Sequence, residues 1–201
     1  MSQYFDNDES VISKERIIEL SLYDKNIKFI SDNGVFSKNK VDEGSIALLK
    51  VILPLSLGEN ILDLGCGYGT IGLSIAIYKE TAHVTCADIN TRALTLCNKN
   101  ARINNLDSRV TCLESDIYEN IKGKYDSIVI NPPIRAGKKV IYSMFLGAKD
   151  YLIDGGSLYI VIRTKHGAES AKNYIGKVFN NVTLLKIDKG YRIYKATKQS
   201  D

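Results

Sequence analysis

The chain has 201 residues, of which 44% are hydrophobic and 25% charged, enough apolar material for one buried core and too much for a disordered chain. The amino terminus MSQYFDNDES carries neither a basic nor an apolar leader, and no apolar run nears the roughly 20 residues of a membrane span, so a cytoplasmic location is expected. A net charge of +4 permits a polyanionic partner but lacks the clustered charge of a dedicated nucleic-acid arm.

Residues 1–30 are read as an N-terminal extension and 31–201 as one α/β domain. In the extension, VISKERIIELSL at 11–22 is amphipathic and predicts an edge helix or a loosely held segment. Ile27 to Ser31 predicts a short strand, and Asp32-Asn33-Gly34 a turn or hairpin, because Asn-Gly readily adopts the left-handed backbone of tight turns. From Asp42 to Leu57 the apolar Ile46, Leu48, Leu49, Ile52 and Leu53 recur at helical spacing, and Pro54 closes the run.

Strand-length apolar runs follow at 60–64, 83–88, 109–113, 126–130, 157–162, 182–187 and 191–195, with helix-like segments at 70–79, 90–104, 115–122, 138–152 and 167–179. This alternation predicts a doubly wound, Rossmann-like, seven-stranded and mostly parallel sheet with helices on both faces. Only Asp188-Lys189-Gly190 joins the last two strands, too short for a parallel crossover, so the sheet should end in an antiparallel C-terminal hairpin. A dinucleotide-binding sheet is ordinarily parallel throughout, whereas the class I methyltransferase sheet carries an antiparallel strand near its end. Four cysteines, Cys66, Cys86, Cys97 and Cys112, form no CxxC pair, which favours reduced, half-buried thiols over disulfides or a zinc site.

The first strand of the alternation runs into Asp63-Leu64-Gly65-Cys66-Gly67-Tyr68-Gly69-Thr70, at the crevice end where open α/β sheets bind ligands. Gly67, Gly69 and Gly72 spell GxGxxG, which suits a dinucleotide equally well. Asp63 separates the two readings, because a carboxylate there would repel a pyrophosphate but attract the amino group and sulfonium of S-adenosylmethionine. Asp88 can accept hydrogen bonds from both ribose hydroxyls of either cofactor. Asp116 is placed to take an adenine amino group between apolar walls at Ile89 and Ile117.

The run 126–130 ends in Asn131-Pro132-Pro133-Ile134, which holds two of the three prolines in the chain. Two fixed φ angles make this loop rigid, so the Asn131 side-chain oxygen and the Pro132 carbonyl can both accept from one exocyclic amine. The nitrogen is thereby drawn toward tetrahedral geometry with its lone pair aimed at the methyl group, and no strong base is needed. Arg135, Lys138, Lys139, Arg163, Lys165 and His166 cluster near the same strand ends and suit phosphate contacts. Tyr68, Tyr142 and Tyr191 could stack on a base.

These residues resemble the RsmC-like small-subunit ribosomal RNA guanine-N2 methyltransferases, within the small-domain methyltransferases, from about Phe29 onward. The likeness rests on SDNGVFS at 31–37, VDEGS at 41–45, DLGCGYG at 63–69, NPPIRAGK at 131–138 and Gly190-Tyr191. It implies that Asp63, Gly65, Cys66, Gly67, Gly69, Asp88, Ile89, Asp116, Ile117 and Asn131 bind the cofactor. Asn131, Pro132, Pro133 and Ile134 would form the catalytic loop, with Phe36 and Ser37 bordering the substrate and RNA as the partner. Two departures stand out: Ile134 replaces the aromatic residue that often follows the two prolines, and a single-domain form is expected, without the duplicated N-terminal domain of the characterised guanine-N2 enzymes. Adenine N6 and a protein glutamine amide remain as alternative acceptors. From other classes, a nicotinamide-dependent oxidoreductase and a non-catalytic RNA-binding relative remain as rivals.

Overall fold

The computed structural model describes residues 11–200, so the start of the N-terminal extension lies outside the described residues. The described chain opens with an antiparallel hairpin, β1 (Arg16–Leu22) and β2 (Lys25–Ser31), closed by Tyr23-Asp24. The segment 11–22 is therefore strand from Arg16 on, not helix. Ile18, Leu20 and Leu22 recur at every second position and are buried, whereas Ile17 is 68% exposed on the outer face and blurs that period. The Asn33-Gly34 turn is not the hairpin turn: Gly34, with φ of 82°, belongs to the loop that leads into the next helix.

That helix, α1 (Glu43–Ile52), begins at Asp42, whose carboxylate accepts the Ser45 N–H at 2.9 Å. It stops before Pro54, which has no N–H to continue the ladder. Strands and helices then alternate as β3 (Asn60–Leu64), α2 (Thr70–Tyr78), β4 (His83–Asp88), α3 (Thr91–Ile103), β5 (Val110–Glu114), β6 (Tyr125–Ile130), α4 (Lys138–Tyr151), β7 (Leu152–Arg163), α5 (Ala168–Phe179), β8 (Thr183–Asp188) and β9 (Tyr191–Thr197). The helix expected at 115–122 is absent. Ile117 takes a left-handed φ of 51°, and the Ser115 hydroxyl donates to the Ile117 carbonyl at 3.0 Å while accepting from the Asn120 N–H at 3.1 Å. Local side-chain bonding has replaced helical bonding there.

The seven strands β3 to β9 form one sheet in the order β5-β4-β3-β6-β7-β9-β8. Pairing is parallel from β5 to β7, and β9 runs antiparallel to both of its neighbours, so the terminal hairpin is present with its second strand innermost. The N-terminal hairpin and helices α1 to α3 cover one face, and α4 and α5 cover the other. Ile61 of β3 packs into the first layer and Leu62 and Leu64 into the second, as expected of a strand buried on both sides. Strand order reverses between β3 and β6, so the loops that leave these two strands diverge around a crevice. Among the described residues no helix is long and apolar enough to cross a membrane.

One fully buried polar side chain ties the hairpin to the sheet. Asn100 of α3 accepts the Ile30 N–H at 2.6 Å and donates to the carbonyls of Ile30 and Tyr68, each at 2.9 Å. It satisfies backbone groups of β2 and of the glycine loop at once. Asn100→Ala should leave them unpaired and lower stability by about 2–4 kcal/mol in equilibrium urea unfolding. Amides of β2 should also exchange faster. An unchanged unfolding midpoint would show that apolar contacts alone hold the hairpin.

Candidate active site

The loop after β3 needs three left-handed glycines, Gly65 at φ 77°, Gly67 at 57° and Gly69 at 99°. The N–H groups of Gly65 and Cys66 both donate to the Ala87 carbonyl, at 2.8 and 3.0 Å, which fastens the loop to the end of β4. Gly67 donates its N–H to one Asp88 carboxylate oxygen at 2.7 Å, and Asn90 donates to the other at 2.9 Å. Burial raises the Asp88 pKa above its ordinary value, against these two bonds, which favour the charged form. A side-chain carbon on Gly67 would meet nothing within 4 Å, so open space lies directly over the loop.

That space is part of a cleft of about 1390 Å³ between the glycine loop, the 33–40 segment and the loop after β6. Gly65, Cys66, Gly67, Asp88 and Asn131 line it, as do Pro132, Pro133, Ile134, Arg135, Phe36, Ser37 and His166. A smaller adjoining hollow is walled by Ile89, Ile117, Val140 and Met144, with Asp88 and Asp116 at its edge. Apolar walls with a carboxylate at the rim suit a planar heterocycle that carries an amino group. The structure thus gathers most of the predicted residues around one crevice.

Six of the predicted residues stand elsewhere. Lys138, Lys139, Lys165 and Tyr142 border neither cavity, and Gly69 faces the core, where an added side-chain carbon would come within 2.7 Å of Leu73 and 2.9 Å of the Cys97 sulfur. Asp63 is not at the mouth of the loop. It shares the face of β3 that Ile61 presents to α2, and it is only 1% exposed. One of its oxygens accepts the Gly72 N–H at 2.7 Å, which serves a helix whose first turn has no side-chain cap of its own. The other is buried without a partner. Burial, with the nearby Asp88 carboxylate adding to it, pushes the Asp63 pKa up to about 7.

On the opposite wall, the Asn131 amide nitrogen donates to the Asp42 carboxylate at 2.8 Å and to the Ser45 hydroxyl at 3.0 Å. The Pro133 carbonyl accepts the Ala136 N–H at 2.9 Å in the turn that follows. Phe36, 57% exposed, projects from a clamped loop. Ser31 donates to the Lys38 carbonyl at 2.6 Å, Ser37 to the Lys40 carbonyl at 2.6 Å, and the Tyr68 hydroxyl to the Ser37 carbonyl at 3.3 Å. Arg163 also lines the cleft, its guanidinium 4.9 Å from the centre of the Tyr191 ring.

Sequence reasoning gave no role to Asp42, Ser45, Arg92, Val140 or Met144, all of which border the site. It also did not foresee that the cysteines converge. The sulfur atoms of Cys66, Cys86 and Cys97 lie within 4.8 Å of one another, and Cys97 and Cys112 are 3.1 Å apart. Burial pushes the Cys66 thiol well above its ordinary pKa, which makes it a poor nucleophile although it borders the cleft.

The sheet order, the antiparallel β9 and a glycine loop joined to an acidic residue at the end of β4 define a Rossmann-like, S-adenosylmethionine-dependent methyltransferase. Comparison with known proteins narrows the class. A family model described as the methyltransferase small domain matches residues 26–195. YbxB of Bacillus subtilis (strain 168) is 40% identical over 197 residues, covering 97% of this chain and 98% of that protein. The ribosomal RNA small subunit methyltransferase C of Aeromonas hydrophila is 43% identical over 132 residues, 64% of this chain and 37% of that one. Among solved structures, the T. thermophilus 16S rRNA N2 G1207 methyltransferase (RsmC), in complex with AdoMet and guanosine, superposes with a TM-score of 0.83 at 26% identity, over 92% of this chain and 51% of that one. The chain spans about half the length, or less, of these methyltransferase C relatives. It belongs to the methyltransferase small domain family.

The buried Asp63 has a measurable signature. The unfolded chain ionises this carboxyl near 3.8 and the folded chain near 7, so between those values only the folded state holds the proton. Stability should therefore fall as pH rises through that window and level off above it. Asp63→Asn removes the effect. Its Tm advantage over the wild type should grow by about 5 °C or more from pH 5 to pH 8. Parallel Tm curves would mean that Asp63 is already ionised in the folded protein.

Proposed function

We propose that this chain transfers a methyl group from S-adenosylmethionine to an exocyclic amine of RNA, with guanine N2 of ribosomal RNA as the acceptor. The observation that carries this reading is the fixed hydrogen-bonding face of Asn131. Its amide nitrogen is engaged by Asp42 and Ser45 at the start of α1, which leaves its side-chain oxygen to accept; the Pro132 carbonyl would be the second acceptor. Two acceptors on one rigid loop match the two N–H bonds of an aryl amine.

The cofactor supplies an electrophilic methyl group on a sulfonium. Gly65, Cys66 and Gly67 would form its cradle, with Asp88 on the ribose hydroxyls and Asp116, Ile89 and Ile117 around the adenine. Asp63 would act from below the loop, by holding the first turn of α2. Asn131 and Pro132 orient the acceptor nitrogen, and Pro133 and Ile134 hold the loop and wall the base. Attack precedes proton loss, so no residue here has to act as a strong base. Phe36 and Ser37 face this loop across the cleft, and Phe36 offers the stacking surface that Ile134 lacks. Arg135, Arg163 and His166 would contact RNA phosphates, with Lys138 further out.

Two of the relatives support the substrate: the Aeromonas hydrophila match is a ribosomal RNA small subunit methyltransferase C, and the superposed T. thermophilus enzyme is an N2 methyltransferase in complex with guanosine. In this reading residues 31–201 are the catalytic domain and act in the cytoplasm. Residues 1–30 are an extension whose hairpin braces α3 through Asn100.

Incubation with labelled cofactor and ribosomal RNA or small subunits, followed by nucleoside analysis, should yield N2-methylguanosine. Asn131→Ala should cut the rate at least about 100-fold. Label in adenine N6 or in a protein amide would move the assignment to that acceptor, and no transfer to any of them would overturn it. Phe36→Ala should raise KM for RNA about 10-fold while leaving cofactor affinity intact, as loss of one stacking platform predicts. An unchanged KM would remove Phe36 from the base site.

A further inference from the structure

We infer that Asp42 is a positioning residue for the acceptor amine: it fixes which edge of the Asn131 amide faces the cleft. This rests on the proposed amine chemistry but reaches a residue outside the Asn-Pro-Pro loop. A single carboxylate oxygen of Asp42 accepts the Ser45 N–H at 2.9 Å and the Asn131 amide nitrogen at 2.8 Å, with the Ser45 hydroxyl 3.4 Å away. A carboxylate only accepts, so the Asn131 NH₂ must turn toward it. The Ser45 hydroxyl alone cannot impose this, because it can donate as readily as it accepts. Without Asp42 the amide could rotate by half a turn at little steric cost, presenting a donor where the substrate amine also donates. Two donors would then face each other, and the acceptor geometry would be lost.

The fit around Asp42 is tight. A side-chain carbon on Gly44 would lie 2.9 Å from the same Asp42 oxygen and 2.9 Å from the Tyr191 ring. Only glycine at position 44 leaves room beside both the carboxylate and the Tyr191 ring. Asp42 reaches Asn131 across 89 residues of sequence, which is why the VDEGS motif at 41–45 marks the segment without giving the contact.

An exchange of partners tests this. In Asp42→Ser the helix cap survives, since serine caps as well as aspartate, but the amide of Asn131 loses its acceptor-only partner, because a hydroxyl can donate as readily as it accepts. kcat should fall by about 10- to 100-fold while KM for RNA and calorimetric cofactor affinity stay within about twofold. In Asn131→Asp two carboxylates face each other, and both kcat and Tm should drop. In the double variant, Asp42→Ser with Asn131→Asp, the hydroxyl at position 42 can accept the Ser45 N–H and donate to the carboxylate at position 131, which keeps an acceptor oxygen toward the cleft. It should recover Tm to near the wild-type value and kcat at least 10-fold relative to the worse single variant.

A readout independent of turnover is the Asn131 side-chain amide in NMR spectra: well dispersed and slow to exchange in the wild type, averaged in Asp42→Ser. Wild-type kcat in Asp42→Ser, additive losses in the double variant, or an unaltered Asn131 resonance would each overturn the inference. Absence of methyl transfer by the wild type would instead count against the RNA reading, and the resonances and Tm cycle would still decide the role of Asp42.

Discussion

The parallel pairing of β3 with β6 is the constraint on which the site depends. Its register sets Ile61 against Ser127, Leu62 against Ile128 and Asp63 against Val129, so the two strands end side by side at Leu64 and Ile130. From there one chain turns into the glycine loop and the other into Asn-Pro-Pro. A slip of one residue would turn Leu62 and Leu64 out of their layer and invert Asp63. It would also shift Asn131 by one Cα step along the crevice, roughly 3.3 Å, further than a productive alignment of amine and methyl group tolerates. Packing on both faces of β3 therefore specifies the site as well as the core.

The acidic residues at this edge divide the work according to depth. Asp88 has each oxygen bonded to a backbone N–H and still borders the cleft, so it holds the glycine loop and keeps a face for a ligand. Asp63 lies under α2 with one oxygen unpartnered, an arrangement that burial alone would penalise. What offsets the penalty is the helix start. Gly69 must be glycine to turn, so it brings no capping side chain, and the Gly72 N–H takes its partner from the preceding strand instead. Gly72 can have no side chain either, because one would lie 2.5 Å from the Cys86 sulfur. The glycine motif here is as much a packing requirement beneath the loop as a clearance above it.

Legibility in the sequence followed the range of the interaction. From Asn60 onward, apolar runs and helical spacing name the strands and the long helices because each signal lies within its own element. The three-residue link at 188–190 is enough to foretell the antiparallel ending, although not that β9 would sit inside β8. The N-terminal hairpin was obscured because Ile17, Ile18, Leu20 and Leu22 satisfy both a helical and an alternating pattern until the burial of Ile17 is known. At the site, glycines and prolines announce themselves by backbone demands, and Asp88 by its place at a strand end. Asp63 was visible as a residue but not as a direction, since which face of β3 it takes depends on where α2 packs. Asn100 was silent, and Asp42 stood in a recognisable motif without a role, for the partners Ile30 and Asn131 lie 70 and 89 residues away.

The inserted strand β9 shows how an element remote from the chemistry shapes it. Because β9 runs antiparallel beside β7, its first residue, Tyr191, pairs with Arg163 at the cleft end of β7. The Tyr191 ring therefore sits under the Arg163 guanidinium and against Gly44 at the start of α1. A parallel strand in the same slot would place its last residue there, followed by a loop, and not a ring held by a tight Lys189-Gly190 turn. The antiparallel strand thus closes the side of the crevice that the glycine loop leaves open. It also backs the segment from which Asp42 reaches Asn131, so the topology that marks the class also supports the wall on which the acceptor amine would rest.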